Sequence, residues 1–213
     1  MASRGLEAHG ADAHGSLADT IFWVKSRLLI GGRALRNAAA PEHRRPLRRL
    51  AALPTDAIQL ARDETALYTA TDPRERDLEL GKIQNLRVAA AAIDGLLLEH
   101  GQIFSFWRTV GRAMPRKGYV IGRELRRGCM IPTVGGGLCQ LTVALSRTAS
   151  EAGMEIVERH RHSARPEGLA IDEASDATVF WNYLDFRFRS PRRVRIGAAL
   201  TATELVVRLD ALS

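Results

Sequence analysis

The sequence has few of the residues and motifs that identify several common classes of protein. Its 213 residues include 2 cysteines, which do not form a Cys-x-x-Cys pair, so zinc-ribbon and thioredoxin-type patterns are excluded. A Gly-x-Gly-x-x-Gly fingerprint after a strand, a Walker loop and a His-Glu-x-x-His helix are also absent. The usual signatures of dinucleotide, nucleotide-phosphate and zinc-protease sites are therefore missing, and we expect no cofactor.

Long apolar runs are missing as well. The first twenty residues include Glu7 and Asp12 and have no apolar segment of the kind that a secretory signal requires. The most apolar early stretch, residues 21–30, is interrupted by Lys25 and Arg27 and is much shorter than a membrane span. These absences predict a cytoplasmic protein without a transmembrane segment, in which both cysteines are free thiols.

Positive charge exceeds negative charge, with 31 Lys and Arg residues against 24 Asp and Glu residues and a formal net charge of +7. Arginine clusters lie at residues 43–49, 123–127 and 187–195. Such clusters can dock anionic partners. No aromatic pairs are interleaved with them and no nucleic-acid motif accompanies them, which argues against a nucleic-acid partner. We interpret them as a solvated surface that mildly favours an anionic small-molecule or glycan ligand.

The most informative pattern is a run of three glycines before an amphipathic helix. Residues 135–137 are glycines, and apolar residues then recur at helical spacing from Leu141 to Ala152. Gly153 ends this pattern as a residue just beyond a helix does. A helix is therefore predicted from about Leu138 to Ala152. Cys139 then lies at its N-terminus, where the helix dipole favours a thiolate.

The segment after this helix predicts a strand that returns towards the cysteine. A helix of about fourteen residues is roughly 21 Å long, and a strand covers that distance in about six residues. A strand that begins at Met154 therefore brings His160 and His162 level with Cys139. Asp176 follows at the edge of the next predicted strand, and the order Cys, His, Asp is used by several thiol hydrolases and acyltransferases.

This order supports a catalytic hypothesis. Cys139 is the nucleophile, His162 or His160 is the base, Asp176 orients the imidazole, and backbone N–H groups near residues 138–140 stabilise an oxyanion. A structural interpretation competes with it, in which the cysteine is buried and the glycines allow a helix to pack closely on a sheet. From the residues alone, the structural interpretation is favoured.

A zinc site made by the same four side chains is disfavoured. The two histidines are separated by one residue, and no second close pair of ligands supports them. We therefore predict no metal site.

The remaining patterns predict an α+β fold with a mainly antiparallel sheet and an N-terminal helical arm. A second amphipathic helix is predicted over residues 82–94. Strands are predicted over residues 119–125 and 129–134 as a hairpin, and over residues 154–160, 178–181, 184–188, 194–198 and 204–209. The predicted domains are a disordered segment at 1–15, a helical arm at 16–80 that packs on the core, and an α+β domain at 81–213.

Several sequence blocks together resemble a known family. They are Phe104-Ser105-Phe106 with Val110-Gly111, Gly118-Tyr119, Gly135-Gly136-Gly137-Leu138-Cys139-Gln140, Glu158-Arg159-His160-Arg161-His162-Ser163 and Asp176-Ala177-Thr178-Val179. Their order and spacing resemble the VanW family, named for a protein linked to vancomycin resistance, over roughly residues 85–188. The resemblance implies a role in the bacterial cell envelope, with peptidoglycan or its precursors as the substrate. The family's usual Pro-Gly-Glu is replaced here by His100-Gly101-Gln102, so any acid at that position is missing.

Three functions are compatible with these patterns. The first is a Cys/His-dependent hydrolase or transferase that acts on a peptidoglycan-related substrate. The second is a glycan-cleaving, lytic transglycosylase-like enzyme that uses Glu158 or Asp176 as its acid. The third is a module that binds an anionic ligand without turnover. The predicted ligand-binding residues are Gly135, Gly136, Gly137, Gln140 and Ser163.

Overall fold

The computed structural model describes residues 46–70, 72–126, 129–162, 173–181 and 183–213, together with residues 28, 31, 32 and 35. Three antiparallel sheets and three α-helices lie within the continuous described ranges. This architecture confirms the predicted α+β class. In the same part of the chain, no helix has both the length and the apolar character needed to cross a membrane.

The largest sheet has five strands in the order β1-β3-β9-β10-β2. These strands are β1 (Arg48–Arg49), β2 (Ile58–Ala66), β3 (Leu96–Leu98), β9 (Val194–Leu200) and β10 (Glu204–Ala211). The β9–β10 hairpin lies at its centre, and β10 pairs with β2 from Glu204 to Ala211, with one irregularity after Leu209. The sheet therefore joins the beginning of the described chain to its end.

Two smaller sheets complete the strands. The first has the order β4-β8-β7, with β4 (Ile103–Ser105), β7 (Glu155–Glu158) and β8 (Arg187–Arg189). The second is a hairpin of β5 (Ile121–Arg126) and β6 (Cys129–Val134). The hairpin leads directly into the three glycines, so it sets where the next helix begins.

The helices are α1 (Arg76–Ile93), α2 (Phe106–Val110) and α3 (Leu138–Glu151). One apolar side of α1 and one apolar side of α3 are buried in a common core with the central sheet. Fully buried members of that core are Leu86, Ile93, Leu141, Ile196 and Val207. Burial of such side chains holds α3 on the sheet, because removing apolar surface from water contributes about 25 cal/mol of stabilising free energy per Å².

Several sequence predictions are confirmed by these elements. The helix predicted over residues 138–152 is α3, which ends at Glu151. The hairpin predicted over residues 119–134 is β5 and β6, and the last two predicted strands are β9 and β10. The helix predicted over residues 82–94 is α1, which begins six residues earlier, at Arg76.

Two predictions about secondary structure were wrong. Residues 58–66 were placed in the helical arm, but they form β2, because their backbone pairs with β10 along almost its whole length. Residues 178–181 were expected to form a strand, but in this segment only Phe180 makes an isolated bridge, to Leu184. The disordered segment at 1–15 and most of the arm before residue 46 lie outside the described residues, as does Ser163.

Candidate active site

The three glycines allow α3 to begin in close contact with the hairpin. Gly137 is the residue before the helix and has a φ of 99°, and Gly135 has a φ of 80°, a region that favours glycine. Gly136 is buried, and a Cβ atom there would lie 2.4 Å from the backbone oxygen of Gly122 in β5. Close packing of the backbone is therefore enough to explain the three glycines, whether or not the site is catalytic.

A buried amide holds this glycine turn in place. The side-chain nitrogen of Asn85 in α1 donates to the backbone oxygens of Gly136 (2.9 Å) and Val120 (3.0 Å), and its oxygen accepts from the Val120 N–H (2.9 Å). Asn85 is fully buried, and sequence analysis missed it because an asparagine inside an amphipathic helix gives no distinctive signal. The start of α3 is thus fixed to α1 and to β5 together.

Gln140 also contacts the protein itself. Its side-chain nitrogen donates to the Thr65 hydroxyl (3.1 Å) and to the Ala66 backbone oxygen (2.8 Å), both at the end of β2. The glycines and Gln140 therefore have structural contacts, and their predicted ligand-binding role stays a prediction.

Cys139 is the second residue of α3 and is a half-buried free cysteine. Its sulfur lies 3.5 Å from the Thr178 hydroxyl oxygen and is close enough to the side chain of His162 to interact with it electrostatically. Cys139 is partly exposed, whereas the structural interpretation placed a buried cysteine at this position. The structure therefore brings together the thiol and one of the two predicted imidazoles.

His162 is held by Asp176 through two hydrogen bonds. The imidazole Nδ1 lies 2.6 Å from Oδ1 of Asp176, and the backbone N–H of His162 donates to Oδ2 at 3.0 Å. Asp176 is fully buried, and 6% of the His162 side chain is exposed. Because Nδ1 is engaged by the carboxylate, Nε2 is left as the ring atom for the sulfur, and Cys139, His162 and Asp176 form a continuous chain of contacts.

The charge state of His162 follows from these neighbours. The interaction with the Cys139 side chain raises the pKa of His162 to about 9; the Asp176 carboxylate acts in the same direction, and burial opposes both. The imidazole is therefore protonated at neutral pH.

The segment that carries Asp176 is attached to its surroundings at several points. Arg147 in α3 donates from Nε to the Ser175 hydroxyl (3.2 Å), and its guanidinium also lies 3.7 Å from Asp63 in β2. The Arg159 guanidinium donates to the Ala174 backbone oxygen. Although this segment is not a strand, these contacts fix its position.

His160 belongs to a different cluster. Its Nε2 lies 3.0 Å from Oε1 of Glu158, which also accepts the backbone N–H of Asp185 at 3.2 Å. The Arg187 guanidinium lies 3.9 Å from the other Glu158 oxygen. Of the two histidines left open by the sequence, His162 interacts with Cys139, whereas His160 pairs with Glu158.

The beginning of α3 supplies further donors near the sulfur. The residue before the helix, Gly137, has no side chain that could cap it, and its backbone oxygen accepts the Gln140 N–H at 3.0 Å. Apart from such a bond, the N–H groups in the first turn of a helix lack the partner four residues earlier that later residues have. Those of Leu138 and Cys139 therefore suit an oxyanion that forms beside the sulfur.

Metal binding finds no support in the described residues, which contain no group of three or more His, Cys, Asp and Glu side chains arranged to hold an ion.

Comparison with known proteins gives three matches. The sequence model of the family described as "VanW like protein" matches residues 81–209. The protein named uncharacterized protein YoaR, from Bacillus subtilis (strain 168), is 34% identical over 106 residues, which are 50% of this chain and 34% of that protein. Vancomycin B-type resistance protein VanW, from Enterococcus faecalis (strain ATCC 700802 / V583), is 29% identical over 130 residues, which are 60% of this chain and 47% of that protein.

The matched part of this chain thus spans less than half the length of each of these two relatives. No solved structure matches the chain.

Proposed function

The chain belongs to the VanW-like family, and from its candidate site we propose that it is a cysteine-dependent acyl-transfer enzyme with a substrate related to the bacterial cell wall. The observation that carries the proposal is that His162 contacts both Cys139 and Asp176. A half-buried thiol beside a protonated imidazole, whose other nitrogen is held by a carboxylate, has the arrangement of an activated nucleophile.

In the proposed reaction, the Cys139 thiolate attacks a carbonyl carbon of an amide or ester, and a carbon–sulfur bond forms. The carbonyl oxygen becomes an oxyanion, and the N–H groups of Leu138 and Cys139 stabilise it. One such donor typically raises the rate of reaction by about a hundredfold or more. When the tetrahedral intermediate collapses, the bond to the leaving group breaks, and the leaving group takes the proton of His162.

The second half of the reaction releases the acyl group. A water molecule or an amine gives its proton to His162 as it attacks the thioester carbon, and the bond between carbon and sulfur breaks. The thiolate and the protonated imidazole are then restored. Asp176 keeps the imidazole in one orientation through both halves, so a single histidine serves as acid and then as base.

The substrate class is inferred from a relative. The Enterococcus faecalis protein carries a name that refers to vancomycin resistance, and on that basis we propose a peptidoglycan-related amide or ester for this chain. The cytoplasmic location expected from the sequence stays a prediction; it favours a cell-wall precursor over the mature wall.

The contacts of Glu158 disfavour the alternative in which it acts as the acid of a glycan-cleaving enzyme. Its carboxylate accepts a backbone N–H from Asp185 and lies near Arg187. Both carboxylate oxygens are thus engaged by groups of the protein itself, and only 15% of the Glu158 side chain is exposed to a substrate.

The proposal predicts that Cys139→Ala removes turnover while the protein still folds. The measurement is incubation with peptidoglycan precursor and with digested peptidoglycan, followed by mass spectrometry of the products and of the intact protein. The wild type is expected to gain an acyl group that maps to Cys139 and is released by hydroxylamine, as a thioester is. Thermal unfolding of the variant establishes that its fold is intact.

Glu158→Gln is the matched control because it changes a carboxylate near the other histidine. We expect this variant to retain turnover. Turnover that survives in Cys139→Ala, or a loss confined to Glu158→Gln, would contradict the thiol mechanism and favour acid catalysis.

A further inference from the structure

We propose that Thr178 is a further catalytic residue, whose hydroxyl donates a hydrogen bond to the Cys139 sulfur and stabilises its thiolate form. This inference rests on the proposed function, because it assigns a role within the same site. It goes beyond the Cys, His and Asp set by adding an uncharged hydrogen-bond donor to the sulfur.

The first step of the argument is the contact itself. The Thr178 hydroxyl oxygen lies 3.5 Å from the Cys139 sulfur, which is within the usual range for hydrogen bonds that involve sulfur. A thiolate can only accept a hydrogen bond, whereas a threonine hydroxyl can donate one. When the sulfur is ionised, the direction of this bond is therefore fixed from Thr178 to Cys139.

The second step is that the position of Thr178 is determined by its backbone. Its N–H donates to the backbone oxygen of His160 at 2.8 Å. The preceding residue, Ala177, is fully buried, and its oxygen accepts the Thr142 hydroxyl at 2.6 Å. Thr142 lies one helical turn beyond Cys139 in α3, so the segment is attached to the same turn that carries the sulfur.

The third step concerns the spacing within this segment. Asp176 contacts His162, and Thr178 contacts Cys139. The two residues that flank the buried Ala177 therefore each contact one of the two reactive side chains, the imidazole of His162 and the thiol of Cys139. One short segment therefore positions both the imidazole and the sulfur. In this arrangement both the imidazole of His162 and the hydroxyl of Thr178 interact with the sulfur, and each of them can stabilise negative charge on it.

The experiment measures the rate at which iodoacetamide alkylates Cys139 at pH 7, with peptide mapping by mass spectrometry to separate Cys139 from Cys129. Thr178→Val keeps the shape of the side chain and removes the hydroxyl, and we expect alkylation to slow about tenfold, which is typical for the loss of one hydrogen bond to a charged group. Thr178→Ser restores the hydroxyl without the methyl group and is expected to remain within about twofold of the wild type.

Three results would overturn the inference. Alkylation of Thr178→Val at the wild-type rate, while the wild type reacts much faster than free cysteine, would overturn the role of Thr178 and leave the proposed function intact. A wild-type rate no greater than that of free cysteine would overturn both. A loss in Thr178→Ser as large as that in Thr178→Val would show that the methyl group acts, not the hydroxyl. If Thr178→Val does not fold, as judged by thermal unfolding, Thr178→Ala takes its place.

Discussion

At the scale of single residues, Asp176 is a fully buried carboxylate, and it therefore depends on its hydrogen-bond partners. A buried carboxylate is costly unless its oxygens are hydrogen-bonded, and His162 donates to both oxygens of this one, through its ring and through its backbone. Such an arrangement makes the carboxylate and the imidazole dependent on each other. The charge of Asp176 contributes to the orientation of the ring and to its protonation.

Asp176→Asn is therefore expected to lower both turnover and the pKa of His162. The amide keeps the shape of the side chain and removes the charge, and by analogy with other triads turnover should fall about ten-thousandfold. The measurements are steady-state rates and an NMR titration of the His162 ring.

The control is Glu173→Gln. This change removes an exposed carboxylate from the same segment and affects its pair with Arg161. An unchanged titration in Asp176→Asn would contradict the assigned pairing.

The raised pKa of His162 also predicts how stability depends on pH. The folded-state pKa is about 9, above the unfolded value of about 6.5, so protonation favours the folded state. The stabilisation is fully present below about pH 6.5 and is lost as the pH rises through about 9.

Urea unfolding of the wild type and of His162→Gln between pH 6 and pH 10 measures this effect as the difference between the two proteins. The advantage of the wild type should shrink as the pH rises. A difference that grows over this range would refute the assignment.

The residues of the site could be predicted in part from the sequence. Cys139 and Asp176 followed from the helix period and from the order of residue types along the chain. The choice between the histidines did not follow, because β7 ends at Glu158 and carries an irregularity after Ile156, so alternation along a strand does not extend to either histidine. Thr178 was also missed, because its contact depends on the path of a segment without regular structure.

At the scale of elements, the glycine turn and α3 act as one unit. The turn was predictable, because three glycines before an amphipathic helix are a clear local signal. Its packing against β5 and the side chain of Asn85 was not, because those contacts join parts of the chain that are 14 to 51 residues apart in sequence.

Gly136→Ala tests this unit directly. The new Cβ atom would lie 2.4 Å from a backbone oxygen, which cannot move without displacing β5, so we expect a loss of about 3 kcal/mol in the free energy of unfolding. Urea denaturation provides the measurement.

Gly153→Ala is the matched control, because Gly153 has a φ of 71° but open space around it and should cost only about 1 kcal/mol, through backbone strain. Equal losses in the two variants would show that the close contact at Gly136 contributes nothing.

At the scale of the whole molecule, the α+β class and the two central strands were predictable, because β9 and β10 carry many apolar residues. The strand β2 was not recognised, because it lies at the edge of the sheet and contains Arg62, Asp63 and Glu64, which interrupt any apolar alternation. Its place is determined by pairing with β10, which is distant in sequence. The division of the chain into an arm and an α+β domain stays a prediction.

The position of β2 has a practical consequence for anyone who expresses the family region alone. A fragment that starts at residue 81, where the family match begins, would omit β2 and leave the N–H and C=O groups on one side of β10 without their partners. Uncovered strand edges of this kind recruit other chains, and Gln140 would lose both of its acceptors at the end of β2. Self-association and a loosened helix start in such a fragment would then reflect where the chain was cut, and would reveal nothing about the chemistry of the intact protein.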